Sequence, residues 1–148
     1  MIGWLGTAVL ILLATVLQST HLHGLGPGGT TPDLVLLIVL AAGRHGGETA
    51  GSWAGFWGGL LIGAVRGGLE GPMAVLYVLA GWLAGAHQES SLFEMVLVGC
   101  LATVLMVLGE TAIIAFLGLA GSLTLAGVVG LALLHGLCLA PLAVRSEN

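Results

Sequence analysis

The chain contains no lysine and only three arginines, and charged residues occupy just 7% of its 148 positions. Soluble globular domains carry about 25% charged residues, so this sequence lacks the polar groups needed to cover a surface that faces water. Hydrophobic residues make up 57% of the chain, and 26 further positions are glycine. This composition predicts an integral membrane protein with no room for a separate soluble domain.

The sequence also has few residues arranged for chemistry. Cys100 and Cys138 fall in apolar stretches without paired spacing, which favours a packing role over a disulfide or a metal site. His21 and His23 have no Cys, Asp or Glu close by in sequence, so they are weak candidates for metal ligands. The glycine-rich segments lack the Lys-Ser/Thr ending of a phosphate-binding loop. We therefore expect no catalytic activity, cofactor, metal or nucleic-acid partner.

Apolar stretches alternate with short turn-rich breaks, which predicts an all-α bundle of six transmembrane helices forming one domain over residues 1–148. A spanning helix needs roughly 20 residues, so the second stretch is short, and a five-span arrangement with that stretch re-entrant remains an alternative. With six spans, both termini and Arg44 lie in the cytoplasm and Arg66 lies outside. The predicted spans cover residues 2–17, 32–45, 48–65, 72–86, 92–117 and 125–144.

Glycine occupies every fourth position from Gly43 to Gly71 in "GRHGGETAGSWAGFWGGLLIGAVRGGLEG". In a membrane bundle, small residues at this spacing let two helix backbones approach closely. The sequence therefore predicts helix-packing positions at Gly51, Gly55, Gly59, Gly63, Gly81 and Gly85.

Four residues advance about 400° around a helix, so a row of such glycines winds around the axis by about 40° per step. We expect this row to cross its neighbours at an angle and to meet more than one helix. The outer glycines, Gly43 to Gly47 and Gly67 to Gly71, are expected in turns. Gly55→Leu or Gly59→Leu should disrupt the bundle, whereas Gly47→Ala should be mild.

The segment "TTPDLVLL" has the features of a helix start. Thr31 is the expected capping residue, Pro32 suits the first helical position, and Asp33 suits the positive end of the helix dipole. Alternatively, Asp33 remains exposed and contacts a partner. The aromatic residues Trp53, Phe56 and Trp57 lie off the glycine positions, so they are candidates for contact with a partner or with lipid.

Two polar residues fall inside the later apolar stretches. Glu110 is expected near the outer interface, because it lies about 27 Å along a helix that starts at Leu92. The alternative is a proton-relay or ligand role, which would normally need a charged partner, but the chain has no lysine and its arginines are distant in sequence. His135 is expected to be a neutral, hydrogen-bonded contact between helices.

A succession of motifs resembles the rod shape-determining protein MreD family. These are "LQST" closing the first span, "PDLVLLIVL", "GSWAGFWGGLL" and "AVLYVLAGWLAG", in order over roughly residues 10–86. The last 60 residues match only as apolar spans. MreD-like sequences often carry an acidic residue shortly after the GLL, where this chain has Gly63, so no role of that carboxylate is carried over.

The resemblance implies a non-catalytic scaffold in the bacterial inner membrane. It implies binding to a bitopic MreC-like partner, beside the glycosyltransferase and transpeptidase that build the lateral peptidoglycan wall, and hence a role in rod shape. It also implies a helical arrangement similar to the membrane substrate-binding subunits of energy-coupling-factor transporters. A small-molecule-binding or transport subunit is the alternative function.

Overall fold

The computed structural model describes residues 4–20, 31–87, 91–116, 129–130, 132–135 and 137–138. These residues form helices and the turns between them, with no strand among them, which confirms the all-α class. The described residues between 129 and 138 are helical and lie within the predicted sixth span. The four helices with assigned bounds are α1 (Trp4–Thr20), α2 (Leu34–Val65), α3 (Glu70–Ala86) and α4 (Leu92–Phe116).

Helix α2 is interrupted at Gly47, whose φ of 79° and ψ of −177° are not helical. In a straight helix, residues 35 and 58 would lie about 35 Å apart. Instead, a side chain added at Gly58 would come within 2.8 Å of Val35. The chain therefore reverses at Gly47 and forms two antiparallel arms, α2a (residues 34–46) and α2b (residues 48–65). This break matches the predicted boundary between the second and third spans.

Arm α2b packs backbone to backbone against α3 along the glycine row, defined here as Gly51, Gly55, Gly59 and Gly63. A Cβ at any of these positions would overlap the backbone of α3. The opposing residues run from Gly81 through Tyr77 and Ala74 to Glu70, so the two helices are antiparallel. The predicted close-packing role is confirmed for this row and for Gly81 and Gly85, which meet Gly51 and Glu48.

All four glycines of the row meet α3. Residues spaced four apart form a row that is inclined by about 26° to the helix axis. A neighbouring helix that lies along this row contacts every residue in it. Gly51 also approaches a second segment, since its Cβ would lie 2.8 Å from the Cα of Gly43 in α2a, so the row meets more than one helix, as expected.

The outer glycines divide into two kinds. Gly47 and Gly67 have φ values of 79° and 80°, which L-residues rarely adopt, so their expected role in turns is confirmed. The same φ argues against the expectation that Gly47→Ala would be mild, because an alanine would be strained there. Gly43 lies inside α2a, where a Cβ would come 3.0 Å from the backbone nitrogen of Gly85, so its role is packing.

The core lies where α2a meets α2b and α3. Its fully buried side chains include Val35, Leu36, Val39 and Leu40 of α2a and Met73 and Tyr77 of α3. One helix of the described part of the chain, Phe93–Phe116 of α4, is long and apolar enough to cross a membrane. Trp4–Thr20 and Glu70–Ala86 are apolar but shorter.

Candidate functional site

The first turn of α2a is capped by Asp33. Its Oδ1 atom accepts a hydrogen bond of 2.9 Å from the backbone nitrogen of Leu36, which is the usual geometry of an N-cap carboxylate. The helix start at this segment is confirmed, but the capping residue is Asp33 and not Thr31, and the first helical residue is Leu34 and not Pro32. The carboxylate also lies at the positive end of the helix dipole.

Tyr77 of α3 donates its hydroxyl hydrogen to the other oxygen of the Asp33 carboxylate. The Tyr77 side chain is completely buried, and Asp33 is only 7% exposed. A buried phenol and a buried carboxylate each require a partner, and here each provides one for the other. The contact joins the start of α2a to the middle of α3.

His135 connects the same helix start to α4. Its Nε2 atom lies 3.1 Å from the backbone nitrogen of Asp33, which can only donate, so Nε2 carries no proton. The imidazole is therefore neutral with its proton on Nδ1, which lies 3.0 Å from Oγ1 of Thr103. The Thr103 hydroxyl in turn donates to the carbonyl oxygen of Gly99 at 2.8 Å. The expected interhelical hydrogen-bonding role of His135 is confirmed.

Gln18 of α1 completes the arrangement, because its Oε1 atom accepts a 2.9 Å hydrogen bond from the backbone nitrogen of Leu34. The first amides of a helix have no partner within the helix, and inside an apolar bundle water cannot serve them. Here side chains from α1 and from the segment of His135 accept their hydrogens. We name this set the buried polar cluster: Gln18, Asp33, Tyr77, Thr103 and His135.

The buried side-chain atoms of the cluster have hydrogen-bond partners. Within the described residues, no buried side-chain nitrogen or oxygen lacks a hydrogen-bond partner. The cluster joins α1, α2a, α3, α4 and the helical segment around His135 at one point. Its geometry therefore serves to fix the start of α2a inside the bundle.

An ion pair lies at the turn between α2b and α3. Arg66 follows the last residue of α2b, and its guanidinium contacts the carboxylate of Glu110 in α4, with about 30% of each side chain exposed. The inference that the arginines are too distant to pair with it is wrong, because the fold brings Arg66 next to it.

At the other end of α3, Arg44 is buried and donates to the carbonyl oxygen of His87 at 2.9 Å. A cation suits this position, because the carbonyl groups at a helix C-terminus carry partial negative charge. Arg44 and Arg66 thus lie at opposite ends of α3.

The predicted partner-binding residues separate into two groups. Trp53, Phe56 and Trp57 are all exposed on α2b, at 50%, 39% and 56%. Their rings form a cluster, with Phe56 in edge-to-face contact with both tryptophans. The expectation that Asp33 contacts a partner is wrong. Its side chain is buried in the polar cluster, so it does not offer an exposed acidic group.

Two of these aromatic residues line an open groove between α2b and α3 with a volume of about 480 Å³. Trp82 of α3 stands on the opposite wall, and its Nε1 atom donates to Oε2 of Glu48 at 3.0 Å. Sequence reasoning did not single out either Trp82 or Glu48. The lining residues, which we name the aromatic groove, are Glu48, Thr49, Ser52, Trp53, Phe56, Val78 and Trp82.

No group of His, Cys, Asp and Glu in the described part of the chain is arranged to hold a metal ion. His21 and His23 lie outside that part. Cys100 donates to the carbonyl oxygen of Ala132 at 3.3 Å, and Cys138 is exposed.

Sequence reasoning also missed Gln18, Tyr77, Thr103 and Arg66. Each of these residues is a polar side chain inside or beside an apolar stretch, which was the signal in the sequence. Their hydrogen-bond or ion-pair partners lie in other segments, so the sequence did not identify the contacts. Searches for similar proteins found no matching family model, no matching curated protein and no matching solved structure.

Proposed function

We propose that the protein is a multi-pass protein of the bacterial inner membrane that acts as a non-catalytic scaffold in the cell-elongation complex. The observation that carries the membrane assignment is the inverted distribution of polarity. Leu5, Leu13 and Phe93 are exposed by more than half, while the polar groups of Asp33, Thr103 and His135 are buried. Such exposure is unfavourable in water and suits a hydrocarbon solvent.

The proposal includes six helical segments with both termini in the cytoplasm. Residues 34–46 of α2a extend about 20 Å, less than the hydrocarbon thickness of about 30 Å. The arm begins at the buried polar cluster, which lets it start within the bundle without an exposed polar end. Reporter fusions at each terminus test this topology: both should report the cytoplasm, and opposite locations would rule out six spans.

The scaffold role is supported by where the MreD-like motifs lie in the fold. "PDLVLLIVL" contains the Asp33 cap and begins α2a, "GSWAGFWGGLL" carries the glycine row, and "AVLYVLAGWLAG" supplies Tyr77, Gly81 and Gly85. The three motifs pack on one another as a single unit. Their succession in the chain therefore corresponds to a shared core, and not to apolar composition alone.

In this proposal, an MreC-like bitopic protein binds the exposed aromatic cluster of α2b. The complex then supports lateral peptidoglycan synthesis by the elongation glycosyltransferase and transpeptidase. Large aromatic side chains are favoured in the centres of protein interfaces. Trp57 is the best probe, because it is exposed and does not line the aromatic groove.

Co-purification from membranes tests the partner. Trp57→Ala should reduce the recovered MreC-like protein at an unchanged level of this chain. The matched control is Trp4→Ala, which removes another exposed tryptophan from α1, 65% exposed. Equal partner recovery with Trp57→Ala, Trp4→Ala and the unaltered chain would contradict the proposed surface.

A small-molecule-binding subunit is the second candidate function, and the volume of the aromatic groove favours it. Pockets for small ligands typically measure about 300–1,000 Å³. A water-soluble molecule retained at one equivalent in a preparation without protein partners would support this function over the scaffold.

A further inference from the structure

The aromatic groove changes in polarity along its length. Glu48, the first residue of α2b beyond the break at Gly47, lies beside Gly85 near the end of α3. From there the groove passes Thr49 and Ser52 and reaches Phe56 and Val78 toward the middle of α3. At 1.5 Å per residue, it follows α2b for about 12 Å. The polar end therefore lies at one end of the bundle and the apolar end lies at depth.

The polar end suits an organic cation. Among the described residues that line the groove, Glu48 alone carries a formal charge, and it is negative. The hydrogen bond from Trp82 to one carboxylate oxygen holds the acid beside an indole ring. A carboxylate can accept about four hydrogen bonds, so it retains capacity for an ammonium group. The faces of tryptophan rings attract such a cation further.

We propose that the aromatic groove binds a zwitterionic phospholipid of the phosphatidylethanolamine type, through the ammonium group of its headgroup. The ammonium lies at Glu48 between Trp53 and Trp82, and one acyl chain follows the wall formed by Phe56 and Val78. The amphiphilic gradient matches a lipid better than a free amine, which would leave the apolar end unfilled. The groove is also too short to seat a transmembrane helix, which needs about 30 Å.

An anionic lipid is a poorer occupant, because its headgroup would face Glu48 without a neutralising group in the lining. The site does not depend on the scaffold role, since the lipid binds the isolated chain. Glu48 and Trp82 belong to the lipid site alone, whereas Trp53 and Phe56 also belong to the aromatic cluster proposed for the partner, so Glu48→Gln is the variant that tests the lipid site separately.

Native mass spectrometry of the purified chain tests the proposal. The chain is reconstituted in nanodiscs with equal amounts of phosphatidylethanolamine and phosphatidylglycerol and then released into detergent. The unaltered protein should retain phosphatidylethanolamine at least about threefold over phosphatidylglycerol, as expected for one cation–π contact. Replacing the lipid by its N-acetylated form, which removes the positive charge, should abolish the preference. Free ethanolamine at the same concentration should not compete.

Two variants locate the site. Glu48→Gln removes the charge at nearly constant size, and Trp53→Leu removes one wall; each should bring the retention ratio close to one. The matched controls are Glu94→Gln and Trp57→Leu, which alter an exposed acid and an exposed tryptophan outside the groove lining. Far-UV circular dichroism checks that each variant is folded. If Glu48→Gln does not fold, Trp53→Leu provides the test.

Three results would overturn the assignment. One is equal retention of both lipids by the unaltered chain, and another is an unchanged ratio in a folded Glu48→Gln or Trp53→Leu variant. The third is an equal loss of lipid selectivity in the two control variants. Loss of the MreC-like partner without loss of lipid selectivity would affect only the scaffold proposal, so the two failures are distinguishable.

Discussion

Gly59→Ala is the most direct test of the contact between α2b and α3. A Cβ at this position would lie 2.5 Å from the Cα of Ala74, 2.6 Å from the carbonyl oxygen of Met73 and 2.7 Å from the nitrogen of Ala74. Ordinary contacts of a Cβ begin near 3.4 Å. All three obstructing atoms belong to the backbone, so no side-chain rotation relieves the overlap, and the two helices must separate by about 0.9 Å.

The expected cost follows from that separation. A gap of about 0.5–1 Å removes a quarter to a half of the van der Waals attraction between facing atoms. Overpacking a well-packed core costs about 1–3 kcal/mol, and a rigid backbone obstruction places Gly59→Ala at the upper end. Alanine recovers up to about 1 kcal/mol through its higher helix propensity. The net loss of stability should therefore be about 2 kcal/mol.

Unfolding by sodium dodecyl sulfate in mixed micelles, followed by far-UV circular dichroism, measures this difference. Gly71→Ala is the matched control, because it is the same substitution in α3 with no heavy atom within 4 Å of the added Cβ. That control should be neutral or more stable by up to about 1 kcal/mol. If Gly59→Ala were as stable as Gly71→Ala, the close backbone contact would be refuted.

The remaining predictions use the same unfolding measurement. Gly47→Ala should destabilise by about 1–3 kcal/mol, because its φ of 79° and ψ of −177° are accessible essentially to glycine alone; an unchanged midpoint would contradict the reversal. Tyr77→Phe should cost about 1–3 kcal/mol by depriving the buried Asp33 carboxylate of a donor, and a cost near zero would show that water replaces the hydroxyl. Arg66→Gln and Glu110→Gln in a double-mutant cycle should show a coupling of about 0.5–1 kcal/mol that weakens with salt, because both side chains are partly exposed. Zero coupling at low salt would contradict the ion pair.

Features encoded by neighbouring residues could be predicted from the sequence. The break at Gly47, the capped helix start near Asp33 and the packing role of the glycine row follow from the chemistry of a few adjacent positions. The sequence does not specify the angle at which α3 crosses α2b, so it could not indicate that α3 contacts the whole row. That angle depends on all the side chains around the contact.

The buried polar cluster could not be predicted because its hydrogen bonds join distant parts of the chain. Asp33 and Tyr77 are 44 residues apart, and Asp33 and His135 are 102 apart. The sequence correctly indicated that His135 would have a partner, since an unpaired imidazole in an apolar bundle is costly. It did not identify the partner, because any of several polar side chains could meet that requirement.

The error about Glu110 has the same cause: the sequence does not show which distant residue is the partner of a polar side chain. Distance in sequence was taken as evidence against pairing with an arginine, yet antiparallel packing routinely places distant residues side by side. The turn after α2b and the second half of α4 meet at one end of the bundle, so Arg66 reaches the carboxylate. A carboxylate beside an apolar stretch is better treated as evidence that a cation lies nearby in the fold.

The packing of the bundle and the proposed lipid site are linked in α3 by two adjacent residues. Tyr77 faces the buried polar cluster, and Val78 lines the aromatic groove. The glycine row sets the distance between α2b and α3, and that distance sets the separation of the groove walls at Trp53 and Trp82. A bulky substitution in the row would therefore change stability and groove width together. Only substitutions on the groove walls, which leave the backbone contact intact, can separate binding of a ligand from folding of the bundle.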